Sequence, residues 1–322
     1  MSNEYKVYIT RLLSPEANEL LIEACDTEVF PGTEMITKQE LIEKVNDVDA
    51  VVCDYGNKID DDILKAASPR CKLFANCAVG YDNIDMKAAK KYGIHITNTP
   101  GANFHTVADM AWGLLFAVAR KIVDADKFLR AGVYMGFEDT TYLGLDVTGK
   151  TLGILGAGQI GRFFGEKAKG FDMKLLYHDV DRKEDFERKT AAKFVTMETL
   201  LKESDFVSIH VPMLEGTRHL IGAKELEMMK KTAILINTAR GPIVDEKALV
   251  RALQQGQIWG AGLDVYEWEP QVSPELKEMH NVVLTSHMAS CTTETRYRTV
   301  RMAVNNVLAM MNGDALPNCV NV

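Results

Sequence analysis

The sequence predicts an α/β protein built from two doubly wound parallel sheets, and three observations carry that reading. Short apolar runs of four to six residues alternate with stretches of helical spacing along nearly the whole chain. That is the rhythm of strands buried between helices. A Gly-x-Gly-x-x-Gly fingerprint, Gly156, Gly158 and Gly161, stands midway along the chain rather than at its start. A complete series of strand–helix units precedes it, so the fingerprint opens a second domain.

In chain order, Lys6–Thr10 is the first strand, and Ser14-Pro15-Glu16 starts a helix running to about Cys25. Glu28–Phe30 is a strand, Lys38–Val45 a helix, Asp49–Asp54 a strand and Asp60–Ala67 a helix. Lys72–Cys77, the helix Met86–Tyr92 and the strand Ile94–Thr97 complete the first series. Asn98-Thr99-Pro100-Gly101 punctuates the chain, and Thr106 to Arg130 then follows one long helical pattern through Val107, Met110, Ala111, Leu114, Leu115, Val118 and Ile122. Residues 132–145 are rich in glycine and tyrosine and irregular. The second series has strands at Thr151–Leu155, Met173–Tyr177, Lys193–Val195, Phe206–Val211, Ala233–Asn237, Ile258–Asp264 and Val282–Thr285. A last helix, about Thr292 to Met311, returns to the first domain. The expected division is therefore 1–100 with 288–322 as a discontinuous domain and 101–287 inserted within it, both Rossmann-like.

The fingerprint stands between the strand Thr151–Leu155 and a helix beginning near Arg162, which is the context the motif requires. Gly156 allows the tight turn, Gly158 lets backbone approach a pyrophosphate, and Gly161 lets helix pack on strand. The N–H groups at the helix start, around Gln159 and Ile160, would hold the phosphates. A ligand-free glycine turn would show the same bare pattern. Asp179 favours the dinucleotide, because it ends the second strand eighteen residues after Gly161. An acid there takes both ribose hydroxyls and repels a 2′-phosphate, so NAD(H) is the expected cofactor. Asp181 and Arg182 blur that choice, since an arginine can accept the phosphate.

The bulk numbers suit this picture. The 322 residues are 47% hydrophobic and 25% charged, with a net charge of −8 spread without blocks. Nothing there suggests nucleic acid or an anionic membrane as partner. The opening Met-Ser-Asn-Glu-Tyr-Lys is unlike a secretory signal, and the longest apolar run, Met110 to Ala119, is about half a membrane span. The six cysteines form no C-x-x-C pair and no metal-like cluster with histidine, so free thiols in the cytoplasm and no metal are expected.

Three strand ends of the second series carry chemistry: Asn237-Thr238-Ala239-Arg240-Gly241, Gly262-Leu263-Asp264 through Glu269-Pro270, and Thr285-Ser286-His287. In a parallel sheet these ends face one side, so Arg240, Glu269 and His287 can converge. A guanidinium grips a carboxylate through two parallel hydrogen bonds. Histidine moves a proton near neutral pH, and a carboxylate beside it fixes the ring and favours its protonated form. Singly, each has a duller role: a surface ion pair, a loop acid, a buried histidine. Three at successive strand ends point to a site.

With these motifs the chain resembles the D-isomer-specific 2-hydroxyacid dehydrogenase family, and within it the glyoxylate/hydroxypyruvate reductases, over nearly its whole length. The likeness rests on Asn76-Cys77-Ala78-Val79-Gly80-Tyr81-Asp82-Asn83, on Gly156 to Gly161, on Thr238-Ala239-Arg240-Gly241, on Gly262-Leu263-Asp264-Val265 and on His287. It implies a catalytic set of Arg240, Glu269 and His287, with the Val79 and Gly80 backbone binding the substrate carboxylate. It further implies that Asp264 holds the nicotinamide carboxamide and that Val211-Pro212 and Thr238-Ala239 line the dinucleotide. His287 would border the coenzyme as well. Relatives are usually homodimers joined through the coenzyme domain, for which the helix after Gly101 is the candidate. The sequence also departs from the family. Ser286-His287-Met288-Ala289 replaces Pro-His-Ile-Gly, Val107 stands where a coenzyme-binding Thr or Ser is common, and Asp54-Tyr55-Gly56 replaces a more apolar pocket loop, making Tyr55 a candidate substrate contact. The expected activity is NAD(H)-dependent reduction of small 2-oxo acids to D-2-hydroxy acids, glyoxylate or hydroxypyruvate first. D-3-phosphoglycerate or D-lactate-type dehydrogenases, and an NADH-sensing corepressor on the same fold, are the alternatives.

Overall fold

A computed structural model describes residues 5–136, 140 and 142–321. Two compact units emerge: one holds the chain up to Asn103 and from Ser290 onward, the other spans Phe104–Ala289. Residues 101–103 thus fall with the first unit and 288–289 with the second.

The chain opens with β1 (Lys6–Ile9), α1 (Pro15–Ala24), β2 (Asp26–Val29), α2 (Lys38–Val45), β3 (Ala50–Cys53), α3 (Asp61–Ala67), β4 (Leu73–Asn76), α4 (Met86–Tyr92) and β5 (His95–Thr97). The second unit follows with α5 (Phe104–Ala119), α6 (Ile122–Arg130), β6 (Thr151–Leu155), α7 (Gln159–Lys167), β7 (Lys174–His178), α8 (Glu184–Thr190), β8 (Lys193–Phe194), α9 (Met197–Glu203) and β9 (Phe206–Ile209). It ends with α10 (Ala223–Met228), β10 (Ile234–Asn237), α11 (Glu246–Gln254), β11 (Gly260–Leu263), α12 (Pro274–Glu278) and β12 (Val282–Leu284); α13 (Thr293–Asn312) belongs to the first unit.

Local chemistry sets the helix ends. Pro15 occupies the first turn of α1, where its missing N–H costs nothing. Thr37 and Glu40 cap α2 reciprocally, and the Asp60 and Asp85 carboxylates accept N–H groups at the starts of α3 and α4. Gly93 ends α4 in the left-handed conformation.

The first sheet has the order β2-β1-β3-β4-β5, every pairing parallel. Alternation along β1 divides the core. Val7 and Ile9 pack with Leu21, Val300, Val304 and Val307, while Tyr8 faces Val51, Ile63, Leu64 and Phe74. Helix α13 therefore buries its apolar side in the first unit although it comes last in sequence. The tail seals the same unit: Val320 N–H donates to Ile96 O and Asn321 Nδ2 to Ile94 O. The second sheet runs β12-β11-β10-β9-β6-β7-β8, again all parallel. Helices α5 and α7 cover one face with Trp112, Leu115 and Phe164, and α9 to α11 cover the other with Leu200, Leu226 and Leu249. The expected pair of parallel Rossmann-like sheets, the second inserted into a discontinuous first, is the observed architecture.

Two expectations need correction. The single helix Thr106–Arg130 is two, because Lys121 adopts a left-handed φ of 52° between α5 and α6. The apolar spacing runs through the break, so periodicity alone misses it. Tertiary contacts set the stop: Leu145 N–H takes the Ala119 carbonyl at 2.8 Å, and the Lys121 ammonium lies over the Trp259 ring. Strand β2 starts at Asp26 rather than Glu28, since it is an edge strand with no buried apolar residue to mark it. Of the irregular stretch 132–145, positions 137–139 and 141 lie outside the described residues. Among the described residues no helix is long and apolar enough to cross a membrane.

Candidate active site

In the second sheet the strand order reverses between β6 and β9, and ligands of open α/β sheets bind in the crevice beyond such a point. The glycine loop lies there. Gly156 has φ 93°, and a Cβ on it would sit 2.8 Å from Val211 N in the segment after β9. A Cβ on Gly161 would lie 2.1 Å from Gly156 O, so the first turn of α7 rests directly on the loop. At Gly158, by contrast, no atom of the described residues beyond its chain neighbours lies within 4 Å of the Cβ position. That open ground, beside a helix start carrying no side-chain cap, fits a pyrophosphate. The residues present therefore suit the expected dinucleotide.

Asp179 follows β7 and accepts the Ala157 N–H at 2.8 Å, which ties the glycine loop to the second strand. Lys183 Nζ stands 3.7 Å from its other oxygen. Arg182 is turned to Glu187, with Nε at 2.9 Å and Nη2 at 2.7 Å from its carboxylate oxygens. Its fork is thus already engaged by a carboxylate.

The three chemical groups occupy three neighbouring strand ends. Arg240 follows β10, where Asn237 shapes the turn by donating to Arg240 O and accepting from Ala239 N–H. Glu269 follows β11 and accepts the Tyr266 N–H at 2.9 Å. His287 follows β12, its Nδ1 2.8 Å from Glu269 Oε2, with the two side chains 33% and 32% exposed. Burial raises the Glu269 carboxyl, but the His287 hydrogen bond and charge, the Tyr266 N–H and the Arg240 charge outweigh it. The net position is below the ordinary carboxylate value. Glu269 is therefore an anion at neutral pH, and Arg240 and His287 both lie close enough to act on it.

His287 has a left-handed φ of 54°, a conformation that costs about 1–2 kcal/mol for a residue with a Cβ. Asp264 offsets that cost. Its backbone oxygen accepts His287 N–H, and its buried carboxylate accepts Thr285 Oγ1, Met288 N–H and Ala289 N–H at 2.6 to 2.8 Å. A carboxylate has about four acceptor positions, so one remains beyond this structural duty. No local sequence signal marks Asp264 as the organiser of the His287 turn. Gly241, part of the same strand-end motif as Arg240, is needed for close packing, since a Cβ there would fall 1.8 Å from Tyr266 O.

Of the remaining candidates, Thr238 is buried and Ala239 partly so, both beside Arg240, and Val107 is buried in α5 with no polar side-chain atom to offer. Val79, Gly80 and Tyr55 belong to the first unit, beyond the ends of β4 and β3. Asn76 Nδ2 donates to Gly80 O at 2.9 Å and Asn98 Nδ2 to Val79 O at 2.8 Å. Among the described residues neither the Val79 nor the Gly80 N–H donates a hydrogen bond. Tyr55 is tied to the same loop through Asp82, its hydroxyl 3.0 Å from Oδ2. His210, whose ring meets Ser208 Oγ at 2.9 Å, is pushed down to about 3 by burial and is thus unsuited to carry a proton.

Residues 112–289 match the model of the D-isomer specific 2-hydroxyacid dehydrogenase family, NAD binding domain. A glyoxylate reductase of Thermococcus litoralis is 45% identical over 320 residues, covering 98% of this chain and 96% of that protein. The crystal structure of a glyoxylate reductase from Paecilomyes thermophila superposes with a TM-score of 0.87 at 33% identity, over 99% of both chains. D-Lactate dehydrogenase from Aquifex aeolicus, solved with NAD and lactic acid, gives a TM-score of 0.85 at 26% identity, over 98% of this chain and 99% of that one. With its glycine crevice, its three polar strand ends and these likenesses, the chain belongs to the D-isomer specific 2-hydroxyacid dehydrogenase family.

Proposed function

We propose that Arg240, Glu269 and His287 carry out the reduction of a glyoxylate-type 2-oxo acid to the 2-hydroxy acid in this NAD-dependent enzyme. The observation that carries the assignment is the 2.8 Å contact of His287 with an ionised Glu269 in reach of the Arg240 charge. NADH, when bound, supplies the hydride to the carbonyl carbon. Arg240 grips the substrate carboxylate with two prongs and so aims the carbonyl. Glu269 holds His287 by Nδ1, and Nε2 is the atom assigned to deliver a proton to the developing alkoxide. Reduction thus uses the imidazolium, and oxidation of the hydroxy acid uses the neutral ring.

In the first unit, the Val79 and Gly80 N–H groups and Tyr55 belong to the same proposal as ligands of the substrate. In the second, Gly156, Gly158, Gln159, Ile160 and Gly161 hold the pyrophosphate and Asp179 the ribose. Val107, Val211, Pro212, Thr238 and Ala239 line the dinucleotide, and Asp264 meets the nicotinamide amide with its remaining acceptor position. The homodimer is part of the proposal too. Helix α6 has an apolar side yet, among the described residues, buries none of its own side chains, and Ile122, Leu129, Val133, Tyr134 and Met135 are exposed along and beyond it. A cytoplasmic location is proposed with the four buried free thiols in support.

The test is NADH oxidation by the purified protein across glyoxylate, hydroxypyruvate, pyruvate, 3-phosphohydroxypyruvate and branched 2-oxo acids. Glyoxylate or hydroxypyruvate is expected to have the highest kcat/KM. Pyruvate leading would favour the D-lactate-type reading, and no turnover with any of them would favour an NADH sensor.

Coenzyme choice gives a separate prediction. With Asp179 at the ribose and Arg182 engaged by Glu187, NADH is expected to exceed NADPH in kcat/KM by at least about tenfold, the worth of ~1.4 kcal/mol. Asp179→Ser is expected to weaken NADH binding and narrow the gap. Equal or better use of NADPH by the native enzyme would overturn the assignment of Asp179.

A further inference from the structure

His219 lies in the loop between β9 and α10, and its backbone is left-handed, with φ 52°. A side chain is rarely held this way unless its surroundings demand it. Here both halves of the residue are in use. The His219 N–H donates to Pro242 O at 2.8 Å, two residues beyond Arg240. The ring Nε2 lies 2.7 Å from Glu267 Oε1, two residues before Glu269. A carboxylate only accepts, so Nε2 carries the proton in this contact.

Glu267 is well placed to transmit a restraint. Its side chain is 4% exposed, and Arg218 Nη1 lies 3.8 Å from the same oxygen. Oε2 accepts the Glu246 N–H at 3.1 Å, while the Glu267 N–H donates to the Glu246 carboxylate at 2.9 Å. The other Glu246 oxygen takes Ser273 N–H and Oγ, on the far side of Glu269. The segment carrying Glu269 is therefore held at both ends. Gly241 meanwhile lies main chain to main chain against Tyr266 and Glu267. The Arg240 turn and the Glu269 segment touch, and His219 spans both from a third loop.

We propose that His219 is a positioning residue, bracing the Arg240 turn through its backbone and the Glu269 segment through its ring so that the two reach the substrate in fixed register. This rests on the assignment of Arg240 and Glu269 to the reaction. Displacements well under an ångström matter in such a site, since a misplacement of about 1 Å can cost on the order of a hundredfold in rate.

The test compares His219→Gly and His219→Gln with the native enzyme and with Arg240→Ala. Glycine keeps the left-handed backbone and drops the ring, and the glutamine amide reaches about as far as Nε2. For His219→Gly, kcat/KM for glyoxylate is expected to fall at least about tenfold, with lower kcat and higher KM. Its Kd for NADH, read by fluorescence, should stay within about twofold of native. His219→Gln is expected to recover most of the loss. The bracing role is overturned if His219→Gly keeps native kcat/KM, if glutamine does no better than glycine, or if NADH binding falls as far as turnover. Full activity in Arg240→Ala would instead overturn the site assignment itself, and the bracing role with it.

Discussion

His287→Ala is expected to lower kcat for glyoxylate reduction by about 10²–10⁴, the usual worth of a positioned general acid. The variant keeps the fingerprint, Asp179 and Arg240, so NADH should bind within a few-fold of native affinity. Left-handed backbone at position 287 is expected to persist in the variant, because the Asp264 carboxylate holds the following N–H groups. The loss is therefore one of chemistry rather than of shape. Rapid mixing with saturating NADH and glyoxylate reads the effect, and a kcat within about fivefold of native would remove His287 from proton transfer.

The second large effect belongs to Arg240. Lysine keeps the charge but offers a point ammonium in place of a planar fork. One charge-assisted hydrogen bond, about 1.5–3 kcal/mol, is lost in binding and aiming the carboxylate, so kcat/KM should fall by roughly 10- to 100-fold. Both a lower kcat and a higher KM for the oxo acid are expected, with Kd for NADH nearly unchanged. Steady-state kinetics and NADH titration together decide it. A variant that loses NADH affinity alone would make Arg240 a coenzyme ligand.

Most of the fold was legible because its signals are local. The expected bounds of α2, α4 and β6 are the observed ones, and the structure adds the caps Thr37 and Asp85 that fix the starts of the two helices. The glycine fingerprint announced its own strand, turn and helix, and parallel topology then brought the polar strand ends to one side. What was not legible depends on contacts distant in sequence. The break at Lys121 is set by Leu145 and Trp259, which no periodicity can report. Asp264 reads as a strand-end acid, and only the fold shows its carboxylate gathering Thr285, Met288 and Ala289. The engagement of Arg182 by Glu187 likewise needs the turn into α8 to be formed. His219 has no sequence signature at all: a single loop histidine gives no hint that it joins two other loops.

The central claim is that an ionised Glu269 holds His287 by Nδ1 and so presents the ring for proton transfer. Partial burial raises the Glu269 carboxyl, yet His287 and Arg240 hold it below its ordinary value. That anion accepts from His287 Nδ1 at 2.8 Å, which fixes the ring for proton delivery. Glu269→Gln removes the charge and keeps the size. The most direct measurement is the pH profile of kcat/KM for glyoxylate reduction by native and Glu269→Gln enzyme at saturating NADH. Native activity is expected to fall on the acid side as Glu269 takes up its proton, below the ordinary carboxylate range, and the variant should lack that limb and be less active throughout. A variant with native activity at neutral pH, or with the acid limb unchanged, would contradict the account.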